Sequence, residues 1–317
     1  MTKWNKFLLG KQAKELGFVR DTYEKICRLA EILKFFENDE LLKRFLALKG
    51  GTAINLTIFN LPRLSVDIDL DFSENLPRDE MMATRNKIND RIIKYMLAND
   101  YSLSSKSKYY HALDSFVFEY LNAGSMKDNI KVEINYMLRC HILQIEQRYF
   151  ESPWEPIGIS VRSVVPIEVF ASKVVALLNR TAPRDLYDIH NLVKLGLFDE
   201  SEEILLRKCI VYYSAIASES PPSDFKLSSI DKITQNQIKR ELIPVLRSKE
   251  KFDLHSSQVQ VKTWLSDLLK LEDNEWKFLV AFREKEYHPE LLFESWEILA
   301  RIKNHPMALW KTRTGII

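Results

Sequence analysis

The 317-residue chain has little cysteine, little net charge and no long apolar run, and each shortage excludes something. Cys27, Cys140 and Cys209 are far apart, odd in number and never in a CxxC pair. With the six histidines scattered as well, neither a disulfide framework nor a zinc site is expected. A formal net charge of +2 argues against a histone-like general nucleic-acid binder, while leaving room for a local basic groove. No stretch of about 18 apolar residues could span a bilayer. The N-terminal MTKWNKFLLGKQAKELG also lacks the apolar core of a signal peptide. The expectation is a cytoplasmic protein with no membrane partner. What is plentiful is apolar side chain, 46% of residues against 28% charged, enough for proper cores in one large domain or two ordinary ones.

Periodicity divides the chain. Leu16, Tyr23, Ile26, Leu29, Ile32 and Leu33 recur near helical spacing and predict a helix over 12–36. The apolar run 41–48 leads toward a buried strand that Gly50-Gly51 breaks, and 52–59 suits a short helix. Residues 65–72 alternate strictly, as a strand does, and 80–97 return to helix. Segments 115–121 and 130–137 read as strands about the turn Asn122-Ala123-Gly124-Ser125. The Pro153/Pro156/Gly158 region is the best domain boundary. Beyond it, strand signals nearly stop and helical patterns fill 168–180, 183–195, 202–218, 257–271, 275–286 and 290–303, with a loop at Pro221-Pro222-Ser223. The fold class expected is α+β: a mixed sheet with flanking helices at 1–155, then a mainly α-helical domain at 156–317. Trp264, Trp276 and Trp296 recur on the later helices and are expected in the core.

The most specific stretch is Lys49-Gly50-Gly51-Thr52-Ala53 followed by Arg63-Leu64-Ser65-Val66-Asp67-Ile68-Asp69-Leu70-Asp71-Phe72. On a strand Asp67, Asp69 and Asp71 project together, roughly 6.6 Å apart, while Val66, Ile68, Leu70 and Phe72 face the other way. At an effective dielectric of about 20, each neighbouring carboxylate pair costs on the order of 2 kcal/mol. A hard divalent cation would turn that cost into a gain, because such ions favour oxygen ligands. An exposed edge strand with its aspartates in water accounts for the pattern equally well. Gly50-Gly51-Thr52, between an apolar run and a helix, lets backbone approach a ligand and aims free N–H groups at an anion; many Gly-Gly pairs are simply turns.

Further along, Lys173 has Val169, Phe170, Ala176 and Leu177 at helical neighbour positions, so it either snorkels to water or answers an anion. Pro183 suits the first turn of the next helix, where Asp185 and Asp188 share a face and Arg184 could pair with Asp188. Glu133 shares a strand face with Lys131 and Asn135. Lys106, Lys108, Tyr109, Tyr110 and His111 mix cations with aromatics, as single-strand binding sites do; Arg139, His141 and Arg148 form another basic group. Ordinary solvated surface carries such residues too.

Taken together, GGT…RLSVDIDLDF resembles the nucleotidyltransferase signature of the DNA polymerase β superfamily, and KGGTA…RxSxDIDLDF is similar to the AbiEii/AbiGii abortive-infection toxin family. Lys173 and Arg184-Asp185-Leu186-Tyr187-Asp188 resemble that family's second element, so the likeness runs from about residue 45 to 195. The resemblance implies a polymerase β-like nucleotidyltransferase domain joined to a helical domain. It implies transfer of NMP from an NTP to RNA, such as a tRNA 3′ end, with Mg²⁺ or Mn²⁺, and a cognate antitoxin. It makes Asp67 and Asp69 the metal-binding pair, with Glu133 as a third metal carboxylate on a neighbouring strand. Gly50, Gly51, Thr52, Ser65 and Lys173 become nucleotide contacts. Asp188, or next to it Asp185, becomes a further active-site residue contributed with Lys173 by the helical domain; Asp71, Arg184 and Asp185 are supporting. The turn departs from the superfamily's commoner Gly-Ser. A nucleotide-binding regulator without transfer activity is the alternative, and a metal-dependent nuclease, which leaves the GGT turn unexplained, ranks last.

Overall fold

In the computed structural model, which describes residues 4–155, 157–217 and 221–313, the acidic segment lies at the middle of an eight-stranded mixed sheet. Pro156 of the expected boundary and Ser218 at the end of an expected helix lie outside the described residues. The strands are β1 (Leu46–Lys49), β2 (Asp67–Phe72), β3 (Ser102–Leu103), β4 (Lys108–Tyr109), β5 (Leu113–Leu121), β6 (Lys127–Asn135), β7 (Glu146–Glu151) and β8 (Gly158–Ser163). Their order is β3-β5-β6-β2-β1-β8-β7, with β4 also pairing β5. β2 is antiparallel to β1 and parallel to β6, so neither of its edges is open. The edge-strand reading of the aspartates is thereby removed.

Helices α1 (Lys6–Leu16), α2 (Arg20–Asn38), α3 (Glu40–Phe45), α4 (Gly50–Ala53) and α5 (Arg78–Ala98) accompany the sheet. The single helix expected over 12–36 is two, because Gly17 at φ 82° closes α1 in the left-handed conformation. The acidic strand begins at Asp67, not at residue 65, since 59–62 bend and Arg63 makes an isolated antiparallel bridge to Leu246. β7 and β8 are unforeseen in the sequence: their EQRYFE and GISVRS are short and carry charge, yet β8 pairs parallel with β1 through Leu48 and Ser163.

The sheet separates cleanly into two faces. Ile68, Leu70, Phe72, Phe116, Phe118, Ile130, Val132 and Ile134 are all buried on one of them. Each such side chain contributes about 1.5–3 kcal/mol, which holds the strands in register.

Two compact units divide the chain: Met1–Arg139 with Ile145–Val164 and Val245–Glu250, and Cys140–Gln144 with Val165–Pro244 and Lys251–Ile317. In the first, the returning segment supplies the Val245 carbonyl to the Leu64 N–H at 2.8 Å. The second is helical: α6 (Pro166–Arg180), α7 (Pro183–Leu195), α8 (Glu200–Ala217), α9 (Gln235–Gln237), α10 (Leu254–Leu268), α11 (Asp273–Arg283), α12 (Trp296–Ile302) and α13 (Pro306–Thr312). The helix expected over 290–303 breaks into a 3-10 turn, Pro289–Leu291, and α12, because Ser295 caps the latter. Trp296 is 73% exposed, and Trp264 and Trp276 are only half-buried, so the three tryptophans do not form the core expected of them. That core is built from smaller aromatics instead, with the rings of Phe278, Tyr287, Phe293 and His305 surrounding Tyr212.

At the start of the helical unit Glu168, fully buried on α6, accepts the Ile142 and Leu143 N–H groups, both at 3.0 Å, and the Tyr213 hydroxyl; His141 Nδ1 lies 3.3 Å away. Burial alone would raise its pKa, but these partners together hold it below the ordinary carboxylate value. A depressed folded-state pKa stabilises the fold above the unfolded value, about 4.3, and that stability is lost as pH falls through the depressed one. Glu168→Gln should cost roughly 3 kcal/mol at pH 7. In thermal denaturation the gap between wild type and variant should close as the pH is lowered below about 4.

Candidate active site

The sheet register decides which side chains can meet. Asp67 stands opposite Lys131, Asp69 opposite Glu133 and Asp71 opposite Asn135 across the β2–β6 ladder. On the other flank Lys49 stands opposite Asp69, and Ala47 opposite Asp71. All of these share one face, since paired residues in a ladder point the same way. Asp67 and Asp69 are half-buried, whereas Asp71 is buried and ion-paired with Lys49. The third aspartate is thus committed to a lysine of the neighbouring strand.

Glu133 is turned to Lys131, 2.8 Å from its ammonium. Burial acts to lower the Lys131 pKa, but Glu133, and behind it Asp67 and Asp69, outweigh it and leave it raised. A cation is therefore already favoured on this face. Among the described residues no three His, Cys, Asp or Glu side chains form a ready metal cage. Two carboxylates with the remaining positions left to substrate phosphate and water is the donor set that suits Mg²⁺.

The glycine turn sits against this pair. Gly50 has φ 68°, and a Cβ there would lie 2.7 Å from Asp69 Oδ2. Both the conformation and the close approach require glycine. A Cβ on Gly51 would lie 2.9 Å from Ser65 Oγ and 3.0 Å from a guanidinium nitrogen of Arg63. Thr52, fully buried, donates its hydroxyl to the Asp67 carbonyl, and Asn55 Nδ2 donates to the Gly51 carbonyl at 2.7 Å. Gly50, Gly51, Thr52, Ser65, Asp67 and Asp69 are therefore brought together within the first unit. α4 runs on without a break into a π-helical turn, Ile54–Ile58.

In the helical unit, Lys173 is buried and answers anions of its own unit. Its ammonium lies 3.0 Å from Asp185 Oδ1 and 3.4 Å from Asp188 Oδ2, both carboxylates being fully buried on α7. Arg180 closes on Asp185 through Nε at 2.6 Å and a second nitrogen at 2.9 Å. Burial pushes the Asp185 pKa up, but Lys173 and Arg180 overcome it and hold it low. Arg184 donates from Nε to the Glu241 carbonyl at 2.9 Å.

A model of the family described as the nucleotidyl transferase AbiEii toxin of type IV toxin–antitoxin systems matches residues 33–278, most of the chain. The chain belongs to the AbiEii family. As an AbiEii member it is a nucleotidyltransferase, the toxin component of a type IV toxin–antitoxin system. Seven chains of solved structures match it. One is MenT4, a nucleotidyltransferase toxin from Mycobacterium tuberculosis H37Rv, similar over 98% of this chain and 99% of its own with a TM-score of 0.66. At 15% identity that likeness is one of fold. No curated protein matches in sequence.

Lys49, Arg63 and Lys131 stand in the quoted segments, but the sequence assigned them no partner or role. Arg63 is 2% exposed beneath the glycine turn. A lysine before the glycines and an arginine opening RLSVDID were the available signals, but their partners depend on a register that spacing does not reveal.

Gly50→Ala should cost about 1–3 kcal/mol from its positive φ. It should lower transfer more than that, about 100-fold, by displacing Asp69, as read from steady-state rates beside urea denaturation. Lys173→Ala removes the ammonium that two buried carboxylates share, leaving Asp185 to Arg180, and should cost about 3 kcal/mol. Wild-type stability with weakened nucleotide use alone would mark this lysine as the phosphate contact that the resemblance implies.

Proposed function

We propose that this AbiEii nucleotidyltransferase moves an NMP group from an NTP to an RNA acceptor, such as a tRNA 3′ end, with a divalent cation held by Asp67 and Asp69. The observation that carries the reading is the packing of the Gly50-Gly51 turn onto Asp69, within reach of a Cβ at 2.7 Å. A turn so close to a carboxylate supports that reading, because backbone N–H groups there and metal ligands on Asp69 would both reach the phosphates of a bound NTP. A bound Mg²⁺ or Mn²⁺ would stabilise charge on the attacking and departing oxygens.

The residues do the rest. Gly51 and Thr52 N–H groups bind the phosphates, and the Ser65 hydroxyl, beside Gly51, adds a contact. The acceptor hydroxyl oxygen forms a bond to the α-phosphorus as the bond to pyrophosphate breaks. Asp69 or Glu133, adjacent on the same face, takes the hydroxyl proton. Asp71 keeps Lys49 in place beside Asp69, so the strand stays rigid while the substrate binds. The expected biological setting is a cytoplasmic toxin opposed by a cognate antitoxin. No described helix is long and apolar enough to cross a membrane.

Incubation with each radiolabelled NTP and total RNA should label and lengthen RNA. Asp67→Asn should reduce incorporation at least about 1,000-fold with an unchanged melting temperature. Incorporation near the wild-type rate would remove Asp67 from the site, and labelling of nothing by wild type would leave a nucleotide-binding regulator.

A further inference from the structure

The register that unites the aspartates continues beyond them to the edge of the sheet. Asp69 pairs with Glu133, Glu133 with Ser115, and Ser115 with Lys108. These four residues form a single row perpendicular to the strands, and their side chains share the acidic face. Three strand spacings separate Lys108 from Asp69, about 14 Å. At the far end of the row, Lys106, Lys108, Tyr109, Tyr110 and His111 are exposed, and both tyrosines are 52% open to solvent. Neither Lys106 nor Lys108 has an ion-pair partner among the described residues.

This exposed corner is rigid. Arg85, buried on α5, donates to the Tyr110 carbonyl at 2.7 Å and the His111 carbonyl at 3.1 Å, while its Nε holds Asp114 Oδ2 at 2.9 Å. Asn89 adds a bond to the same carboxylate oxygen at 2.8 Å. Tyr110 N–H closes on the Leu113 carbonyl at 2.8 Å, and Val117 N–H on Ser107 Oγ at 2.9 Å. A buried arginine bonded to the carbonyls of two exposed residues fixes the backbone from which their side chains project. Rigid aromatics among uncommitted lysines are what bases and phosphates of an unpaired strand bind.

We infer that the acidic face extends across β6, β5 and β4 as a track for a single-stranded RNA 3′ segment. Its terminal hydroxyl lies at Asp69, Lys108 meets a phosphate a few nucleotides upstream, and Tyr110 stacks on a base. This rests on the transfer reading for its direction, but not for the binding itself. Along this row the carboxylates of Asp69 and Glu133 stand at the centre of the sheet and the Lys108 ammonium at its edge, so the metal-binding end and the phosphate-binding end have opposite charge.

The test uses the full chain and a short fluorescent single-stranded RNA with a free 3′ hydroxyl, followed by anisotropy without NTP. Tyr110→Ala should raise Kd about tenfold, and Tyr110→Trp should restore binding, because the contact is a stack. Lys108→Ala should raise Kd at low salt and reduce the slope of log K against log salt by about 0.7. Equal binding by wild type, Tyr110→Ala and Lys108→Ala overturns the track, as does wild-type binding too weak to measure. So does preference for a polyanionic peptide over RNA. Label incorporation from NTP is scored on the same samples. Tyr110-dependent binding without incorporation leaves the track and removes the transfer reading. Undiminished incorporation in both variants at limiting RNA leaves transfer and removes the track.

Discussion

The antiparallel pairing of β1 with β2, with β2 running parallel to β6, is the constraint on which the sheet unit depends. It fixes the parity of every side chain on the central strands. Because Ile68, Leu70 and Phe72 must face the core, Asp67, Asp69 and Asp71 have no alternative to the other side, and a slip of one residue would turn three carboxylates into the apolar core. The same pairing brings the end of β1 alongside Asp69, so the chain leaving β1 has to turn within contact of that carboxylate. Gly50 meets the demand by taking a positive φ and by having no side chain. The acidic pair and the glycine turn are thus consequences of one ladder.

Within that frame the three aspartates have become unequal. Asp71 is neutralised by Lys49 and buried, while Asp67 and Asp69 stay partly open, with Lys131 and Glu133 beside them. The mutual repulsion expected of three equivalent carboxylates is relieved at one end by a lysine. At the other end, the raised pKa of Lys131 reports the remaining negative potential. In the helical unit the same principle operates in a drier setting, where Lys173 and Arg180 balance Asp185 and Asp188.

Much of this was legible in residue order, and the exceptions have physical causes. Alternation reveals a strand and its faces, so the aspartate side of β2 was readable, as were α7 at its observed bounds and the turn between β5 and β6. Motif chemistry pointed to the glycine turn and to Ser65. Pairing partners are another matter, because a ladder joins residues far apart in sequence and nothing local marks them. Lys49 with Asp71, Arg85 with Asp114 and the Leu64–Val245 bond are all of this kind. β7 and β8 escaped notice because short, charged strands lack the alternation that betrays them. The split at Gly17 was missed because apolar spacing carried across it, and the tryptophans because ring size alone does not ensure burial.

The sheet unit is not a continuous piece of chain. Val245–Glu250 belongs to it, and Leu246 and the Val245 carbonyl complete the loop that carries Arg63 and Leu64 into the acidic strand. A ribosome delivers the glycine turn and the aspartates early and this closing segment late. Until then Leu64 N–H lacks its carbonyl and Arg63 its bridge. The frame of the acidic face is therefore finished only once Val245 and Leu246 have been made. A fragment ending at the apparent domain boundary would contain every motif residue of the sheet unit and still lack part of its frame.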